Sequence, residues 1–356
     1  MKKLFLALGI ALAATAASAA PVNNPQLESF LRKAMTLCPS GQFSIEPVGD
    51  QGPAGFDSYR VTQTSKTEER CREMTFAMVS KTTNQIVLAN VFPLEPGPKP
   101  LETRIKEMTD RALEKKTSIA LAQSPLADGL RKVVIAYDTE YGKINADAYL
   151  DSSNNFLMAG RVLDRTQDPR RQYLKAIGAD KAARKVAKGS TVEILEISDF
   201  QCPSCMHAHE TLAPLLKKHA GKITYARLDL PFFEHHDWAI HPALIARYLQ
   251  RSAPDKYWPF VDSVFGRQEQ ITAKNVEAQL REIAADLEID WKKIDPILKS
   301  SAEKRALLDQ IGVLYDSEVY ATPTFVVNGQ RVFYAGDTKF FASYIEALLS
   351  AGNPAK

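Results

Sequence analysis

Cysteine is scarce in this chain, with four among 356 residues, and tryptophan scarcer still, with three. So few cysteines exclude a small disulfide-stapled scaffold, which packs several bridges into a far shorter chain. Charge of one sign is missing too: 45 Lys and Arg stand against 42 Asp and Glu. Setting Lys2 and Lys3 aside takes the formal charge from +3 to +1, so no global basic field points to nucleic acid. Beyond Ala16 no run is long and apolar enough for a bilayer span, which needs roughly 20 such residues.

The first residues carry a different pattern. Met1-Lys2-Lys3 is a basic start, Leu4 to Ala16 an apolar run, and Ala17-Ser18-Ala19 a small-residue cleavage signal. The expectation is a signal peptide over 1–19 with cleavage before Ala20, and a soluble periplasmic or otherwise exported mature chain. No cysteine lies near the cleavage site, so a lipid anchor is not indicated. In an oxidising compartment thiols are paired or redox-active, which makes all four cysteines informative.

Residues 20–164 read as an α+β domain with mostly antiparallel pairing. A helix is expected over Gln26 to Leu37, then strands near Phe43–Val48, Tyr59–Thr64, Arg72–Ser80 and Gln85–Phe92. In the third strand Met74, Phe76 and Met78 alternate with period two, as for one buried face. Pro93 to Pro100 holds four prolines and breaks regular structure. A second helix with Leu101, Ile105, Met108 and Ala112 on one face follows. Strands come next near Lys132–Tyr137, Lys143–Leu150 and Phe156–Leu163, the last two joined at Ser153-Asn154-Asn155. This is a degenerate tandem of one helix-plus-meander unit. Cys38 and Cys71 lie in this half, and the expectation is a structural bridge between them.

Residues 165–190 form a connector with Arg165, Arg170, Arg171, Lys175, Lys181, Arg184, Lys185 and Lys188 against Asp168 and Asp180. It reads as a solvated linker helix rather than an anionic-partner site. From Thr191 the pattern changes. Val192, Ile194, Leu195 and Ile197 make a nearly continuous apolar strand, suited to the middle of a covered sheet. A helix over Pro203 to His219, a strand over Ile223–Leu230, a helical stretch and the Asn328-Gly329 hairpin follow. A last amphipathic helix closes the order.

Asp199-Phe200-Gln201-Cys202-Pro203-Ser204-Cys205 sits where the buried strand hands over to the helix. Cys202 falls at the cap with Pro203 at the first helical position, where its missing N–H costs nothing. Free backbone N–H groups and the positive helix end favour a thiolate at Cys202. Cys202 is therefore the expected nucleophile and Cys205, one turn inside, the resolving thiol. A lone Cys-X-X-Cys is also half of a zinc site. All six histidines fall between 207 and 241, so a copper or zinc carrier stays open as the alternative, as does a chaperone-like binding module. His207, His209, His235, His236 and His241 are read as surface or local structure, and neither a resident metal nor another cofactor is expected.

Four segments extend the motif: Glu196 to Cys205, Leu230-Pro231-Phe232-Phe233, Tyr257-Trp258-Pro259-Phe260 and Ala321 to Gly329. In this order, residues 190 to about 350 resemble the DsbA-like branch of the thioredoxin superfamily. The resemblance implies an α/β thioredoxin fold over 191–356 with a helical insertion at about 233–314. It implies that Pro323 is the cis-proline facing the thiols, with Thr322 lining them and the loop, Pro203 and Ser204 meeting substrate. It also implies that Glu196 is a buried acid able to shuttle a proton from Cys205, although its residues alone equally fit a strand edge facing solvent. The activity implied is thiol–disulfide exchange with cysteine-bearing protein substrates and a membrane or soluble redox partner, as oxidase or isomerase. The order of domains is reminiscent of periplasmic isomerases of the DsbC/DsbG kind, in which case the first half would support a homodimer.

Overall fold

The computed structural model describes residues 24–49, 52–334, 336 and 338–351; the expected signal peptide lies outside them. The chain divides into residues 1–177 with 312–320, and residues 178–311 with 321–356. Among the described residues no helix is long and apolar enough to cross a membrane.

In the first unit, α1 (Pro25–Ala34) starts where the Asn24 side chain accepts a hydrogen bond from the Leu27 N–H at 3.0 Å. Its buried residues Leu27, Leu31 and Ala34 recur at helical spacing. The meander β1 (Gly41–Pro47), β2 (Phe56–Ser65), β3 (Arg72–Ser80) and β4 (Gln85–Pro93) follows. After the proline-rich break come α2 (Leu101–Leu113) and a second meander, β5 (Thr117–Leu121), β6 (Arg131–Thr139), β7 (Gly142–Leu150) and β8 (Phe156–Asp164). All eight strands form one sheet in the order β1-β2-β3-β4-β8-β7-β6-β5. Each half of this order is one helix-plus-meander module, and the last strands of the two modules pair antiparallel.

That seam explains a residue. Gly160 lies opposite Ala89, and a Cβ there would stand 2.2 Å from the Leu88 carbonyl oxygen, so only glycine permits the pairing. β4 is buried on both faces: Ile86 and Leu88 pack with Leu27 and Leu31, while Val87, Ala89 and Val91 pack with Phe76, Met78 and Met158. Met74, expected on the buried face with Phe76 and Met78, is 44% exposed; burial in β3 starts only at Thr75.

Residues 312–320 complete this unit, although the sequence division placed them with the second. Arg161, nearly fully buried, donates from Nε to Glu318 at 2.9 Å, and Gly312 is pressed against the Asn145 carbonyl. The expected linker helix over 165–190 is also not one element. α3 (Pro169–Ala176), capped by Asp168, ends before Gly178, which takes the left-handed φ of 64° that lets the chain turn away. The chain then forms β9 (Ala183–Lys185), an edge strand of the second sheet.

In the second unit β10 (Val192–Ser198), α4 (Pro203–Lys218) and β11 (Ile223–Asp229) make a parallel pair with its crossover helix. The helices α5 (Ile240–Ser252), α6 (Pro254–Gly266), α7 (Val276–Asp286), α8 (Trp291–Lys299) and α9 (Ser301–Asp316) follow, the last running into the first unit from Gly312. β12 (Thr324–Val327), β13 (Gln330–Val332) and α10 (Thr338–Ser350) close the chain. The sheet order is β13-β12-β10-β11-β9, with β12 antiparallel to β10. Asn328 and Gly329 both take positive φ in the β12–β13 turn, as the Asn-Gly pair leads one to expect.

Cys38 and Cys71 are bonded, joining the segment after α1 to the start of β3 across a separation of 33 residues. Closing such a loop restricts the unfolded chain by about 2–4 kcal/mol. Replacing both residues by alanine should lower the unfolding free energy of the first unit by that amount in urea titrations, and an unchanged midpoint would count against it.

Candidate active site

The middle strand β10 delivers the chain to the site. Its side chains Ile194, Leu195 and Ile197 are buried, and β11, also wholly buried, holds it from one side. After Ser198 the chain leaves the sheet through Asp199-Phe200-Gln201, and Cys202 caps α4 with extended backbone, followed by Pro203. Phe200 anchors this turn between the rings of Phe260 and Phe265, with the Arg227 guanidinium 4.0 Å from its centroid. Buried Gln268 donates to the carbonyls of Phe200 at 2.7 Å and Cys202 at 3.1 Å. The turn before the thiols is thereby fixed from the helical insertion.

Cys205, one turn into α4, is fully buried, and its sulfur accepts from the Asp199 N–H at 3.5 Å. Cys202 is 8% exposed, and its Sγ lies 3.4 Å from the Thr322 carbonyl oxygen, to which only the protonated thiol donates. Thr322-Pro323 is a cis peptide bond. The Thr322 hydroxyl is buried with no other partner, so it is free to donate to a thiolate. Pro203 and Ser204 are exposed beside the pair.

The two thiols differ sharply in acidity. Cys202 is held down at about 6: a hydrogen bond from the Cys205 thiol contributes most, Thr322 and the Cys205 N–H add to it, and burial and the Asp199 charge oppose them. Cys205 is pushed well up, first by burial, then by its bond to Cys202 and by the charges of Cys202 and Glu196. One sulfur is thus ionised and the other carries the proton.

Glu196 sits in β10, 1% exposed, with Arg227 and Phe325 as its neighbours on the flanking strands. The Tyr225 hydroxyl donates to its Oε2, while Oε1 has no partner. Of its two sequence readings, the structure gives the buried one. Arg227, wholly buried, is paired with Asp229 and donates to the Tyr257 hydroxyl at 3.5 Å.

Among the described residues the histidines form no ligand set with the sulfurs. His207 is exposed, and His209 pairs with Asp262 at 3.1 Å and lies against Phe265. Among the described residues no three His, Cys, Asp or Glu side chains converge as metal ligands would. His236, read from the sequence as local structure, is instead paired with Asp199 at 2.6 Å. Neither that pair nor Gln268 had a sequence signal, since each partner is far along the chain.

Residues 187–347 match the family model for thioredoxin. By this match the stretch is a thioredoxin-type domain. It covers less than half of the chain. Disulfide bond formation protein D of Bacillus subtilis is 26% identical over 163 residues, 44% of this chain and 68% of that protein. The Na(+)/H(+) antiporter NhaA of Herminiimonas arsenicoxydans is 27% identical over 155 residues, 43% of this chain. The chain spans only 23% of the antiporter's own length. Among solved structures, oxidised BdbD from Bacillus subtilis is similar at 20% identity and a TM-score of 0.43, over 48% of this chain and 94% of that one. The catalytic domain of Proteus mirabilis ScsC gives 15% identity and a TM-score of 0.41, over 51% and 98%.

The thioredoxin-type domain makes a pH-dependent prediction. The folded Cys202 value lies below the ~8.5 of an unfolded thiol. Its thiolate therefore stabilises the reduced fold fully above ~8.5, and that contribution is lost as pH falls through about 6. Thiolate absorbance at 240 nm in the reduced chain should rise with a midpoint near 6 and vanish in Cys202→Ser. A midpoint near 8.5 would contradict the arrangement.

Proposed function

We propose that the chain is a thiol:disulfide oxidoreductase acting on cysteine-bearing proteins in an exported, oxidising compartment, and that its resting disulfide form oxidises them. The observation that carries this is the asymmetry of the pair: Cys202 ionised at the cap of α4 beside Thr322, Cys205 buried and protonated behind it. A stabilised Cys202 thiolate favours the reduced state, and a pair with a stabilised reduced state is a stronger oxidant.

A substrate thiolate attacks the Cys202 sulfur of the Cys202–Cys205 disulfide, and that S–S bond breaks with its electron pair on Cys205. Cys205 takes up a proton, and Glu196, buried behind it, is proposed as the donor that solvent later recharges. A second substrate thiolate then attacks the substrate sulfur of the mixed disulfide and expels Cys202 as a thiolate. The substrate has lost two electrons and gained a disulfide; the chain has gained both. A redox partner must remove them for the next turnover. In this reading Pro203, Ser204 and the Thr322-Pro323 loop receive the substrate segment.

The name of the Bacillus subtilis relative supports the reaction class. The first unit is proposed to engage substrate. A homodimer through it belongs to an isomerase and is not needed for simple oxidation. The carrier alternative gains no support: His209 is paired with Asp262, and among the described residues no three potential ligands converge.

The test is oxidation of reduced, unfolded ribonuclease by the disulfide form of the full chain. One substrate disulfide should appear for each Cys202–Cys205 disulfide consumed, and Cys202→Ala should fall to the uncatalysed rate. Activity that survives Cys202→Ala would sink the mechanism. A reduction potential as low as about −270 mV, in the range of a reductant, would reverse the proposed direction.

A further inference from the structure

Asp199 braces both thiols through its backbone: its N–H donates to Cys205 Sγ at 3.5 Å and its carbonyl accepts from the Cys202 N–H at 3.2 Å. Its side chain is wholly buried. Oδ1 accepts from the Gln201 N–H at 2.7 Å, and Oδ2 from the Phe232 N–H at 2.8 Å and from His236 Nδ1 at 2.6 Å. Three donors thus converge on this one carboxylate, and its negative charge beside Cys202 works against a thiolate there. The imidazole is the one titratable group bonded to it, and at 23% exposure it still exchanges protons with water.

We propose that His236 is a positioning residue for the thiol pair, a solvent-linked counter-charge that stops the Asp199 carboxylate from opposing the Cys202 thiolate. The proposal rests on the oxidoreductase reading above and deepens it. The loop after β11 is fitted for this task. Gln201 donates to Asp237 at 3.0 Å and accepts from the Trp238 N–H at 2.8 Å, so the His236 loop and the turn before Cys202 are held as one piece. The charged groups facing His236 are Asp199, Cys202 and Asp237, all of which favour its protonated form. Those facing Cys202 are Cys205 and Asp199. When His236 loses its proton, the site gains one net negative charge and the thiolate is disfavoured.

Linkage makes this measurable in the unaltered chain. If His236 and the thiolate attract each other, the imidazole must titrate at a higher pH in the reduced chain than in the disulfide form. NMR titration of the imidazole in both redox states reads this, and identical midpoints would overturn the proposal. In variants, His236→Gln keeps a donor to Asp199 without the charge. It should raise the 240 nm thiolate midpoint by about 0.5–1 unit. It should also shift the equilibrium with glutathione three- to tenfold toward the disulfide, about 15–30 mV. In an Asp199→Asn background, where the imidazole loses its main anionic partner, the same substitution should move both readings much less. Equal shifts in both backgrounds, or no shift in a folded His236→Gln chain, would overturn the counter-charge role. A wild-type chain that fails to exchange with glutathione at all would instead sink the oxidoreductase reading on which it stands.

Discussion

The unequal setting of the two sulfurs, Cys202 at the cap of α4 and Cys205 buried one turn inside, is the constraint on which the chemistry of the second unit depends. It arises because a buried strand ends one short turn before a helix begins. The helix cap lowers the cost of charge at its first residue, and the strand's burial raises that cost one turn further in. Neither effect alone separates two neighbouring thiols. Cap and burial together do, and the buried Thr322 hydroxyl, with no other partner, is free to donate to the outer sulfur.

Much of the surrounding structure serves to hold that turn still. Phe200 is clamped by rings from α6, Gln268 ties down two carbonyls, and Asp199 gathers three donors around one buried carboxylate. The helices between β11 and β12 are thus more than an appendage to the sheet. They supply Gln268 and the aromatic wall, and the loop leading into them supplies His236.

The parts legible in the sequence were those governed by local chemistry. Cys202-Pro203-Ser204-Cys205 after an apolar strand, Asn328-Gly329 between strands, and the repeated helix and meander all rest on residues close in the chain. β5 and β9 leave little trace in the sequence, because short edge strands have little hydrophobic alternation to show. The partnership of Asp199 with His236 spans 37 positions and that of Gln268 with Phe200 spans 68, so no local pattern signals either. Residues 312–320 were assigned by continuity with their helix, whereas the buried pairing of Arg161 with Glu318 groups them with the first sheet. Gly160 could have been read as a close approach between strands, but only the β4–β8 register says which strands.

The central claim is that the fold assigns attack to Cys202 and withholds it from Cys205. Brief treatment of the reduced full chain at pH 7 with limiting iodoacetamide, followed by peptide mapping, tests this most directly. The account predicts alkylation at Cys202 with Cys205 left unlabelled in the folded chain. Comparable labelling of both thiols, or preferential labelling of Cys205, would contradict it.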